Sequence, residues 1–113
     1  MRIEYSPEFD RRLESFYRYI RDELKSPDAA ARNVNRILDQ CSLLAIMPEM
    51  GIGICTEEGR DTGMRMLIMT NHAAIYRITE EYVDIVTLLD ARTKEFGEVL
   101  EEIRQGMSKN VQI

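Results

Sequence analysis

The stretch that decides the fold is "HAAIYRITEEYVDIVTLLDARTKEF", residues 72–96. Ala74, Tyr76 and Ile78 alternate with their neighbours, and so do Val83, Ile85, Thr87 and Leu89. Successive side chains of a strand point to opposite faces, so each run predicts a β-strand, over residues 73–79 and 82–89. Only Glu80 and Glu81 separate them, which leaves room for a tight turn and makes the strands antiparallel neighbours. Beyond Thr93 the rhythm changes. Phe96, Val99, Leu100 and Ile103 follow helical spacing and predict a C-terminal helix over about residues 93–107, with Gly106 as its stop. The tail, residues 108–113, is expected to fray.

Working outward, residues 64–70 read as another strand and Asn71-His72 as the turn into the next. Residues 48–63 read as a loop, carrying Pro48, Gly51, Gly53, Gly59 and Gly63, with room for a short strand where Ile52 and Ile54 alternate. Two helices precede it. Ser6-Pro7-Glu8 and Ser26-Pro27-Asp28 each combine a serine cap, a proline at the first helical position and an early acid. Phe9, Leu13, Phe16, Tyr17, Ile20 and Leu24 form one apolar stripe. Val34, Ile37, Leu38, Cys41, Leu44 and Ala45 form the next. The first helix is expected over residues 7–25. The second is expected to end near Met47, because the residue before a proline resists helix. Residues 1–5 read as an edge strand. The order is β-α-α-β-β-β plus a C-terminal helix. It predicts an α+β fold, an antiparallel β-sheet with a helical hairpin packed on one face and the other face partly open.

With 113 residues the chain is expected to form one domain over residues 1–113. The formal charge is −5, and the acidic excess falls in the C-terminal half. That balance argues against a broad electrostatic grip on nucleic acid. No apolar run is long enough to span a bilayer and residues 1–12 hold no signal-like apolar core, so a cytoplasmic protein is expected. Cys41 and Cys55 have no metal-ligand spacing; no metal and no cofactor are expected. Cys41, in an apolar helical pattern, reads as a buried thiol.

Candidate chemistry rests on arginines. Arg65 and Arg77 lie on strands and could meet on the open face if the register allows, and Arg92 follows the last strand. Arginines on a sheet can clamp phosphate through paired hydrogen bonds. The competing reading is solvated charge, or pairing with Asp84, Asp90 or Glu81. His72, the sole histidine, reads as an exposed turn residue with no carboxylate partner evident in sequence.

Three segments together carry a resemblance: "YSPEFDRRLESFYRYI", "SPDAAARNVNRILDQCSLLAIMPEMG" and "RMLIMTNHAAIYRITEEYVDIVTLLDAR". In order and spacing they resemble the RelE/ParE superfamily of type II toxin–antitoxin toxins, on the ParE-like (plasmid stabilisation protein) side. The resemblance implies a small growth-inhibiting toxin, neutralised by a cognate antitoxin with which it forms a hetero-oligomer. ParE-like members poison DNA gyrase. RelE-like members are metal-independent endoribonucleases that cut messenger RNA on the ribosome, the alternative activity. A non-toxic protein-binding module on the same fold is a third reading. Arg65, Arg77 and Arg92 match positions where the family commonly carries arginine. They are the candidate target- or phosphate-binding residues, and the catalytic candidates if the chain is a nuclease. Ala73 and Ala74 stand where RNA-cutting relatives tend to place a basic side chain, which favours the gyrase reading over the enzymatic one; Asp90-Ala91 occupies the region where several of those nucleases, and many ParE-like members, show a histidine.

Overall fold

The computed structural model describes residues 1–106. The expected final residue of the C-terminal helix, Met107, and the expected frayed tail lie outside the described residues. Strand β1 (Arg2–Tyr5) leads into helix α1 (Pro7–Arg18), which runs on through a π turn (Tyr19–Glu23). Helix α2 (Pro27–Ser42) ends in a short 3-10 turn (Leu43–Ala45). Strands β2 (Ile52–Cys55), β3 (Asp61–Ile68), β4 (His72–Ile78) and β5 (Tyr82–Asp90) follow, and helix α3 (Lys94–Arg104) closes the described chain. Both serine caps form: the Ser6 hydroxyl accepts from the Phe9 amide at 3.0 Å and Ser26 from Ala29 at 3.4 Å. Lys25 takes a positive φ of 53°, which ends the first helical segment without a glycine.

The sheet order is β1-β5-β4-β3-β2. β1 pairs in parallel with β5, while the other neighbours are antiparallel. The short strand allowed within the predicted loop is present as β2, and β3 starts three residues earlier than the alternation suggested, since Asp61 already pairs with Cys55.

Two cores lie on opposite faces of the sheet. On one, Phe9, Ile37, Cys41 and Leu44 of the helical hairpin cover Leu67, Ala74, Tyr76, Val83, Ile85 and Leu88. On the other, Val99 and Ile103 of α3 cover Ile54, Met64, Ile75, Val86 and Leu89. The second face is therefore not open: the C-terminal helix closes much of it. Along β5 the expected alternation also breaks. Ile75 pairs with Thr87 and Tyr76 with Ile85, so Val86 is an extra residue, a β-bulge. Beyond it the faces exchange. Leu88 joins Val83 and Ile85, and Leu89 turns to the α3 side, opposite to what strict period two predicts.

Candidate functional site

Pairing register decides where the arginines go. Arg65 lies opposite Tyr76, on the hairpin face, whereas the next residue, Arg77, points to the other face and lies opposite Asp84. Cross-strand partners share a face and chain neighbours do not, so Arg65 and Arg77 diverge and the expected convergence does not occur. Arg77 Nε donates to Asp84 Oδ2 at 2.8 Å. Arg92 makes a two-pronged contact with Asp90, Nε to Oδ1 at 3.0 Å and a terminal nitrogen to Oδ2 at 2.9 Å. Its guanidinium holds the Asp90 carboxyl below the ordinary carboxylate value, chiefly through that hydrogen bond. Pairing with carboxylates, the competing reading of these arginines, is what Arg77 and Arg92 do.

Arg65 is used differently. One terminal nitrogen donates to the Gly51 carbonyl at 2.7 Å and the Glu49 carbonyl at 3.0 Å. Tyr76, fully buried, holds the same loop from below. Its hydroxyl donates to the Pro48 carbonyl at 2.8 Å and accepts from the Gly51 amide at 2.9 Å. A Cβ at Gly51 would stand 2.5 Å from that hydroxyl and 2.8 Å from the Met66 carbonyl, so only glycine fits the clamp. Arg65 and Tyr76 are thus fasteners of the Pro48–Met50 turn to the sheet. Alternation alone could not reveal this, because it does not say which loop a strand residue lies under.

His72 is the largest departure from expectation. It is the first residue of β4 rather than part of a turn, and it is 8% exposed. The connection tightens one step earlier, where the Met69 amide donates to the His72 carbonyl at 2.8 Å. The imidazole meets the Phe16 ring edge-on, with centroids 4.4 Å apart, and lies opposite Asp90 in the sheet. Burial pushes its pKa below the ordinary value; Asp90 opposes that shift and Arg92 adds to it. The imidazole is therefore neutral at pH 7. The carboxylate that acts on it is its cross-strand neighbour Asp90, through charge and not through a hydrogen bond, and the β4–β5 register was needed to find it.

Phe16 and His72 together separate two clefts. One, of about 310 Å³, runs between α2 and the β3–β4 connection and is lined by Asn33, Arg36, Ile37, Ile68 and Met69 among others. The other, of about 480 Å³, lies between α1 and the start of α3, with Arg11, Arg12, Asp90 and Glu95 in its walls. Arg12 and Glu95 bridge it with two hydrogen bonds of 2.9 Å each. Ser15, His72 and Asp90 all line the second cleft, but among the described residues no hydrogen bond joins them. Cys41 is buried with its thiol pushed up to about 12, which leaves it unreactive. Among the described residues no group of histidine, cysteine and carboxylate side chains could hold a metal ion, and no helix is long and apolar enough to cross a membrane.

A family model described as "ParE toxin of type II toxin-antitoxin system, parDE" matches residues 3–95. The chain belongs to the ParE toxin family. The match spans both hairpin helices and all five strands, so the family frame is the sheet with its hairpin face; α3 lies almost wholly beyond it. A solved structure described as "Chromosomal ParDE TA system from P. aeruginosa" superposes with a TM-score of 0.68 at 19% identity. The match covers 81% of this chain and 97% of that one, and at such identity it speaks for the fold alone. A search of curated proteins returns no match.

Proposed function

We propose that this ParE-family chain is a cytoplasmic toxin that arrests growth by binding an essential protein target, DNA gyrase, and that a cognate antitoxin neutralises it in a hetero-oligomer. One observation carries the choice of protein contact over RNA cleavage: within the family frame the three candidate arginines are dispersed and engaged. Cleavage of a phosphodiester needs several cations aimed at one developing charge, and a group to move the 2′-hydroxyl proton. Arg65 and Arg77 lie on opposite faces of the sheet, and each of the three arginines is tied to a carboxylate or to backbone carbonyls. The two reduced cysteines fit a cytoplasmic home.

The test is induced expression without a partner, combined with a supercoiling assay on purified gyrase. Growth arrest with DNA-damage signalling, and loss of supercoiling with added protein, are the expected results. Healthy growth at full expression, with normal supercoiling, would leave a non-toxic binding module. Arrest with cuts inside ribosome-bound messages, abolished by Arg77→Ala or Arg92→Ala, would restore the ribonuclease reading.

A further inference from the structure

Arg12 and Glu95 also line a third cleft, of about 300 Å³, between α1, α3 and the sheet. Leu89 and Val99, both buried, give it apolar surface. Its other walls carry Glu8 from α1 and Glu95, Glu98 and Glu102 from α3. Spacings of three and four residues put the three α3 carboxylates on one side of that helix, in a row of about 10 Å at 1.5 Å per residue. The cation in these walls is Arg12, which takes up Glu8 at 3.6 Å and Glu95 at 2.9 Å. Glu98 has no ion-pair partner among the described residues. Helix chemistry does not account for the row. Like charges at this spacing repel, and the last turn of a helix, where Glu102 lies, favours cations.

Thr87 adds a second, independent feature. It lines the same cleft, it is 1% exposed, and its hydroxyl oxygen has no hydrogen-bond partner among the described residues. It stands opposite Ile75, so its side chain lies on the α3 face of the sheet, toward the acids. A buried hydroxyl without a partner costs free energy, and few are left so. A hydroxyl oxygen can accept two hydrogen bonds, so at the base of an acidic cleft it suits a group with N–H bonds to give.

Two observations choose the cation. Among the described residues no group of carboxylates is placed to hold a metal ion, so the ligand's charge has to be spread along the row rather than concentrated at one point. The apolar surface of Leu89 and Val99 favours a cation with an aliphatic body, which a hydrated metal ion lacks. We propose that this cleft binds a linear aliphatic polyamine. Its methylenes lie on Leu89 and Val99. One ammonium donates to the Thr87 hydroxyl and the next pairs with Glu98, extending the row of cations that the Arg12 guanidinium begins between Glu8 and Glu95. Bound there, the amine ties α3 to β5. Because α3 lies almost wholly beyond the family-matched residues, the site is independent of the toxin reading.

The experiment titrates the full chain with spermidine, followed by calorimetry and by thermal melts. The variants are Glu98→Gln, at an exposed position, and Thr87→Val, which keeps the shape of the side chain. Glu57→Gln/Glu58→Gln, exposed between β2 and β3, is the charge control. We expect saturable binding that raises the wild-type melting temperature. Affinity should fall about tenfold in Glu98→Gln and about threefold or more in Thr87→Val, and stay near wild type in the control. Without spermidine, Thr87→Val should melt no lower than wild type, because it removes an orphaned hydroxyl and leaves no cavity. That result separates a lost ligand contact from a damaged fold. No saturable binding up to about 1 mM spermidine overturns the site, and so does equal affinity in wild type and both cleft variants. Magnesium ion that competes with spermidine at equal affinity overturns the choice of a polyamine. A lysine tripeptide that binds more tightly than spermidine overturns the free amine in favour of the lysines of a protein.

Discussion

The two faces of the sheet are closed by different parts of the chain, and in different ways. The hairpin face is closed by α1 and α2, both inside the family-matched region, with Phe9, Cys41 and Leu44 fully buried against Tyr76, Val83 and Ile85. The opposite face is closed by α3, which is almost entirely outside that region. α3 reaches the rest of the molecule through one apolar stripe, Phe96, Val99, Leu100 and Ile103, and through the Arg12–Glu95 bridge. The difference teaches that in this chain the family-matched residues finish only one face. The other is left apolar, by Ile54, Met64, Ile75, Val86 and Leu89, and must be covered by something added locally.

The strongest way to break this comparison is to end the chain at Thr93. Losing the four side chains of the α3 stripe uncovers the second core, and we expect a loss of about 5 kcal/mol, enough to unfold or aggregate a domain of this size. Chemical denaturation and solubility read it out. A truncated chain with an unchanged midpoint would mean that α3 contributes no net stability. Next in size, Phe9→Ala should cost about 4 kcal/mol by opening a cavity in the hairpin core, against about 3 kcal/mol for Ile103→Ala on the other face. Equal losses in urea unfolding would mean that the two faces are packed alike, and an inverted order that the α3 face is the better packed.

A smaller effect concerns His72, which sits at the seam of hairpin and sheet. Its folded pKa lies below the ordinary 6.5 because burial disfavours the imidazolium. The unfolded chain therefore binds the proton more readily, and stability rises with pH in this window. It is complete above 6.5 and is lost as pH falls from 6.5 through the lowered folded value. We expect a decline in melting temperature on acidification through this range that His72→Gln abolishes. Since His72 is the sole histidine, a slope persisting in that variant would have to come from carboxylates. The smallest effect is at the Arg12–Glu95 bridge, where the carboxylate is half exposed. Arg12→Gln should cost about 0.5 kcal/mol or less, shrinking with salt, as exposed pairs do. A loss several times larger would mean that this single bridge fastens α3 to the body of the fold.

Much of this architecture could be read from local signals. The serine–proline helix starts are backbone chemistry confined to a few residues, and they recur as capped helices at Pro7 and Pro27. The Glu80-Glu81 turn and the alternation around it place β4 and β5 as an antiparallel pair. The stripe from Phe96 to Ile103 marks α3. Arg77 and Arg92 lie near their carboxylates in sequence, so their pairing was among the readings available. The candidate site was less legible, because clefts are made where distant segments meet. His72 looked like a turn residue since Asn71 precedes it, yet Phe16 and Asp90 approach it only through tertiary packing.

By itself, then, the sequence determined the order of elements, the apolar stripe of each helix and the ParE-like frame, because caps, turns and periodicity act over a few residues. Tertiary structure decided three further things. The extra residue Val86 exchanged the faces of β5 beyond it, since a bulge depends on how two strands register. Register also sent Arg65 and Arg77 to opposite faces and so removed the cationic cluster that their spacing allowed. Packing of α2 against the β3–β4 connection made the cleft that Arg36 and His72 both line, because only long-range contacts bring residues so far apart in the chain to the walls of one cavity.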